Sequence, residues 1–84
     1  MTVEELRKDL KTKKPIFGAE RAIKELKIGK LNKIYLSSAC REDIKKDIKQ
    51  YAKLAGVKII ELEETNEDLG VICKKPFNIS VISF

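Results

Sequence analysis

The join at Gly56 constrains this chain more than any other feature. Before it, Ile44, Ile48, Tyr51, Ala52 and Ala55 recur at three- and four-residue spacing, with Asp43, Lys46, Asp47 and Lys49 outside that pattern. That spacing predicts an amphipathic helix with one buried face. After it, Val57, Ile59, Ile60 and Leu62 form a short apolar run that predicts a strand. A helix that turns at a glycine directly into a strand is the signature of helices layered on a sheet.

The rest of the chain repeats the alternation. Thr2 and Glu5 stand at capping-box spacing, and Val3, Leu6 and Leu10 share a face, predicting a helix over 3–11. Lys11, Lys13, Lys14 and Pro15 end it, and Ile16-Phe17 reads as a very short strand stopping at Gly18. Ala22, Ile23 and Leu26 predict a second helix from Ala19, closed by Gly29. Ile34-Tyr35-Leu36 reads as a buried strand that empties into the loop Ser37-Ser38-Ala39-Cys40. Thr65 and Asp68 offer another capping box for a short helix carrying Leu69, Val71 and Ile72, broken before Pro76. Phe77–Phe84 is expected to be the last strand, with its far end covered by nothing in the sequence and available to RNA or a partner. With no internal repeat, the economical arrangement is an α/β fold: a three-layer α/β/α sandwich around a four-stranded mixed or largely parallel sheet. The 84 residues suit one domain spanning 1–84.

Charge narrows the partner. Eighteen Lys and Arg against thirteen Asp and Glu leave a net +5, which favours polyanions through counterion release. The competing reading is a Lys- and Glu-rich surface that only solubilises the protein. Cys40 and Cys73 stand far apart without a paired-cysteine motif, so both are expected to be buried, reduced thiols of a cytosolic protein. No apolar run approaches membrane-spanning length, and no membrane partner is expected.

Catalytic chemistry finds few of its groups. The chain has no histidine, which removes the Ser/His and Cys/His nucleophile arrangements. The acidic group Glu61, Glu63, Glu64, Glu67 and Asp68 lies where carboxylates favour a helix N-terminus, an alternative to binding a hard cation. Gly18, Gly29, Gly56 and Gly70 are too scattered for a phosphate loop or a dinucleotide fingerprint. The sequence reads as a non-enzyme without cofactor or metal.

Three segments in order carry a resemblance: Phe17-Gly18-Ala19-Glu20-Arg21-Ala22-Ile23-Lys24, then Arg41 to Ala52, then Glu64 to Gly70 with Lys75-Pro76-Phe77. Together they resemble the L-seven-Ae kink-turn RNA-binding family, nearest its archaeal and eukaryotic-type large-subunit ribosomal branch. The resemblance implies an α/β/α domain that grips a sharply bent RNA internal loop, where sheared G·A pairs expose base edges and one nucleotide is flipped out. It implies structured RNA as partner, ribosomal RNA first, with neighbouring ribonucleoprotein components beside it and a cytoplasmic, ribosome-associated location.

The implied RNA-binding residues are Gly18, Ala19, Glu20, Arg21, Lys24, Ser38, Ala39, Asn66, Lys75, Pro76, Phe77 and Asn78. Gly18 lets backbone approach phosphate or simply makes a turn. The amides of Ala19, Glu20 and Arg21 open a helix whose positive end attracts an anion. Arg21 offers forked hydrogen bonds and Lys24 a point charge. Phe77 either packs on a base or joins the core, and Asn66 is either a capping amide or an RNA contact. Departures from the family pattern are Glu20, where Asn or Lys is usual, and Ala39, where the ribosomal branch has Asn. Alternatives to the ribosomal role are a modification-guide or RNase P type ribonucleoprotein component, and a protein-interaction module on the same fold.

Overall fold

The computed structural model describes residues 2–84, although the side chain of Thr2 is not among what it describes, so the expected Thr2 cap lies outside it. Eight elements follow in order: α1 (Thr2–Thr12), β1 (Ile16–Phe17), α2 (Ala19–Lys27), β2 (Lys33–Leu36), α3 (Glu42–Ala55), β3 (Lys58–Glu61), α4 (Asn66–Ile72) and β4 (Val81–Ser83). The sheet order is β1-β4-β2-β3. β2 and β3 are parallel, with Ile34 opposite Ile59 and Tyr35 opposite Ile60, while β4 runs antiparallel to both β1 and β2. The expected four-stranded mixed sheet between helical layers is present.

Alternation along the strands feeds two cores. Ile34, Leu36 and Val81 point to one side, where Ala22 and Leu26 of α2 and Ile48 and Ala52 of α3 cover them. Tyr35, Ile60 and Ile82 point to the other, under Leu6 of α1 and Leu69 of α4. Apolar residues therefore run without a break through β2, as in strands buried on both faces. Gly56 closes α3 in the left-handed conformation (φ 71°), and the Val57 amide bonds back to the Ala52 carbonyl at 2.9 Å, so only Val57 separates the cap from β3.

Two expectations about the final segment are corrected. The strand occupies only Val81–Ser83, because the residues before it are taken by other partners. Ile79 N–H bonds to the Asn66 carbonyl and the Ser80 carbonyl accepts from Ser37 N–H, both at 3.0 Å, before ladder pairing begins. Nor is the far end of the strand open. Phe84 is buried and meets the Tyr35 ring edge-to-face at 5.8 Å, and its backbone exchanges bonds with Asn32 and Lys33. Cys73 also departs from expectation. It is half-buried where Cys40 is buried, because it lies at the C-cap of α4, past the covered part of the helix. Burial pushes both thiols above their usual range.

A polar group sits inside the α1 layer. Asp9 is buried, its Oδ2 accepting from the Tyr35 hydroxyl at 2.6 Å and lying 2.9 Å from Lys33 Nζ. Burial alone raises the Asp9 carboxyl, but the Tyr35 and Lys33 hydrogen bonds with the Lys33 and Lys13 charges outweigh it and hold the carboxyl below its ordinary value. Burial and the Asp9 carboxylate push the Tyr35 phenol up. The group ties α1 to the start of β2.

Candidate nucleic-acid interface

The expected RNA-binding residues come from four chain segments, and hydrogen bonds gather those segments at one end of the sheet, where β1 and β2 end and β4 begins. Gly18 N–H bonds to the Val81 carbonyl (3.1 Å), Ser37 N–H to Ser80 (3.0 Å), Ser38 N–H to Glu64 (2.8 Å) and Ile79 N–H to Asn66 (3.0 Å). The start of α2, the β2–α3 loop, the start of α4 and the loop before β4 are thereby fixed beside one another.

At the start of α2 the groups left without an intramolecular cap belong to the backbone. Gly18 has φ 102° and ψ 147°, a conformation essentially restricted to glycine. A Cβ there would meet nothing within 4 Å, so glycine is required for its torsion angle, with space to spare above it. The first helical bond runs from Ala22 N–H to the Gly18 carbonyl at 3.2 Å. The amides of Ala19, Glu20 and Arg21 precede it, and glycine has no side chain with which to cap them. They form a patch of donors at the positive end of the helix. Glu20, Arg21 and Lys24 are exposed. Among the described residues Arg21 and Lys24 make no ion pair, whereas Lys13, Lys33, Arg41, Lys45 and Lys49 all do.

Across this end, Ser38 and Ala39 are exposed. The capping box of α4 belongs to Thr65 and Asp68: Thr65 Oγ1 accepts from the Asp68 amide at 3.2 Å, and Asp68 Oδ2 accepts from the Thr65 amide at 3.3 Å. Asn66 is therefore free of capping and instead accepts from the Ser37 hydroxyl, fastening the two loops together. Asp68 is thus occupied at the helix start, and Glu61 is held below its usual range by its hydrogen bond to Lys49 and the nearby Lys45. Among the described residues no acidic or thiol group is arranged to hold a metal ion.

The loop Lys75-Pro76-Phe77-Asn78 projects as an exposed wall. Phe77 is 51% exposed and touches Phe17 edge-to-face at 6.3 Å, while Lys75 Nζ lies 5.4 Å from the Phe17 ring centre. Phe77 is thus anchored at one edge and open on the rest. Two residues that sequence reasoning passed over set this wall in place. Gly70 leaves no room for a Cβ, which would collide with the Phe77 carbonyl oxygen and lie 3.3 Å from its carbon. Lys74 takes a left-handed φ of 57°, and the amides of Lys74 and Lys75 then bond back to Val71 and Gly70, a Schellman closure that turns the chain toward the interface. A glycine inside a helix lowers its stability and so signals a close approach; nothing comparable marks Lys74.

Known proteins share the sequence pattern and the fold. The chain is 48% identical over 79 residues to the large ribosomal subunit protein eL30 of Saccharolobus solfataricus, covering 94% of this chain and 73% of that one. It is 39% identical over 67 residues to eL30 of Methanothermobacter thermautotrophicus, covering 80% and 68%. Among solved structures, a 15.5kD RNA binding protein of Giardia lamblia superposes with a TM-score of 0.78 at 16% identity, over 99% of this chain and 69% of the other. A Bacillus halodurans protein of unknown function superposes at 0.81 with 18% identity, over 96% and 80%. The pattern of one family matches residues 2–84 throughout, and the chain belongs to it: the Ribosomal protein L7Ae/L30e/S12e/Gadd45 family.

Proposed function

We propose that this chain is an RNA-binding structural protein of the large ribosomal subunit that holds a kink-turn or similarly bent RNA internal loop. The observation that carries the reading is the open end: an uncapped helix start, with Arg21 and Lys24 making no ion pair among the described residues, joined through Phe17 to the exposed wall of Phe77. The naming of its archaeal relatives as large-subunit proteins supports the ribosomal assignment.

In this reading the amides of Ala19, Glu20 and Arg21 take phosphate oxygens at the bend, and Arg21 and Lys24 neutralise the same backbone. Glu20 accepts from a guanine amino group, a role for a carboxylate among phosphates. Ser38, Ala39, Asn66 and Asn78 frame the unstacked bases, and Phe77 stacks on one of them, a contribution of about 1–3 kcal/mol. No step forms or breaks a covalent bond. Ribosomal RNA is the partner, and the protein works on the ribosome in the cytoplasm.

The test is retention of a labelled kink-turn duplex against the same duplex lacking its G·A pairs. The reading requires clear preference for the intact bend and a loss of about 1.5–3 kcal/mol in Arg21→Ala. Equal retention of the two duplexes contradicts it. Co-sedimentation with large subunits separates the ribosomal role from that of another ribonucleoprotein particle.

A further inference from the structure

Beside the interface, the C-terminal halves of α1 and α4 and strand β1 leave a groove of about 620 Å³, within the roughly 300–1,000 Å³ range of clefts that hold small ligands. Its rim carries Arg7, Lys11, Lys74 and Lys75, its floor includes Phe17 and Val71, and none of the residues lining it is acidic. Val71 is 73% exposed although it is apolar and on a helix. The groove is continuous with the end described above, because Phe17 touches Phe77 and lies under Lys75.

We propose that this groove holds an unstacked nucleotide of a single-stranded RNA segment that leaves the bent loop past Phe77. The proposal rests on the RNA-binding reading and adds to it a second contact that adjoins the first at Phe17 and Lys75. Four like charges around an apolar floor gather counterions, and a polyanion that displaces them gains their release. Charge alone would suit any polyanion; the floor decides among them. A duplex keeps its bases inside and would leave Val71 and Phe17 wet. An unpaired nucleotide brings a flat base to cover the floor and a phosphate on either side to meet the rim.

The test titrates fluorescein-labelled heptaadenylate RNA with the full chain and with three variants. Val71→Glu and Lys11→Glu both change exposed residues, and each should weaken binding about tenfold, whereas Lys53→Ala, an exposed cation of α3 outside the groove lining, should leave it within about twofold. The slope of log affinity against log salt should be about −0.7 for each phosphate held. A blunt kink-turn duplex should lose affinity with Arg21→Ala and keep it with Val71→Glu. Heptaadenylate binding that ignores Val71→Glu and Lys11→Glu, or that falls as far with Lys53→Ala, overturns the groove assignment, as does heptaglutamate peptide binding as tightly as the RNA. Loss of kink-turn preference with groove binding intact would remove the bent-loop reading and leave this proposal standing.

Discussion

At its first residue, β2 carries Lys33, whose ammonium lies 2.9 Å from Asp9 and 3.9 Å from Glu5, while the Tyr35 hydroxyl completes the group. Beyond its last residue, β2 runs into Ser37, Ser38 and Ala39, beside a helix start whose amides no side chain caps and whose Arg21 and Lys24 make no ion pair among the described residues. One end of a four-residue strand is closed, and the other is open. Charges at the closed end are partnered within the protein and hold α1 to the sheet. At the open end Arg41 pairs with Asp43, and Lys45 and Lys49 with Glu61, whereas Arg21 and Lys24 are left for a ligand. A net charge of +5 does not distinguish Lys33 from Arg21 and Lys24; the pairing does.

Removing the closed end should cost the most. Asp9→Ala strands the Tyr35 hydroxyl and Lys33, and should lower stability by about 2–3 kcal/mol, below the ~3–5 of a fully buried pair because Lys33 keeps some access to water and to Glu5. Urea unfolding reads this as a lower midpoint at constant slope, while kink-turn affinity should stay within about twofold. Acid should erase the difference. The folded Asp9 carboxyl ionises below its ordinary 3.8, so its contribution is present above that value and lost as pH falls below it. A wild type still ahead by the full margin in strong acid would show that Asp9 acts through packing and not through charge.

Gly70→Ala attacks the open end from beneath. Its methyl would collide with the Phe77 carbonyl, and overpacking of this kind costs about 1–3 kcal/mol. Unlike Asp9→Ala, it should also weaken kink-turn binding, because the loop from Lys75 to Asn78 must move. Melting curves paired with RNA titrations separate the two variants; a Gly70→Ala protein that binds RNA normally would remove the loop from the interface.

Lys74→Gly should have the smallest effect, with the opposite sign. Lys74 holds a left-handed φ of 57°, which costs a side-chain-bearing residue about 1–2 kcal/mol. Relief of that strain should raise the urea midpoint by an amount corresponding to about 1 kcal/mol, part of it offset by the greater freedom of glycine in the unfolded chain. No gain would mean that the Schellman closure is held without strain.

The closed end was the harder of the two to read in the sequence. The Ile44-to-Ala55 spacing and Gly56 announced α3 and its exit to β3 because local periodicity and a glycine turn act within a few residues. Gly18 and the helix after it were legible for the same reason. Asp9 was not, since its partners Tyr35 and Lys33 are distant in sequence; the one local hint is an acid beside Leu6 and Leu10 on an otherwise apolar face. The final strand was read too long because Phe77 and Ile79 look like strand residues, whereas the Asn66 carbonyl and the close packing on Gly70 hold that stretch as a loop. Thr65 with Asp68 was legible as a capping box, yet the use it leaves for Asn66, fastening Ser37, depends on a tertiary contact.

The central claim is that RNA meets the open end of β2 and leaves the closed end alone. Amide chemical-shift mapping of the full chain with a kink-turn duplex tests it most directly. Shifts are expected at Gly18 to Lys24, Ser37 to Cys40, Asn66, Lys75 and Phe77 to Ser80, with Asp9, Lys33 and Tyr35 unmoved. Shifts confined to the closed end, or to the C-terminal ends of α2 and α3, with the Gly18 helix start silent, would contradict it.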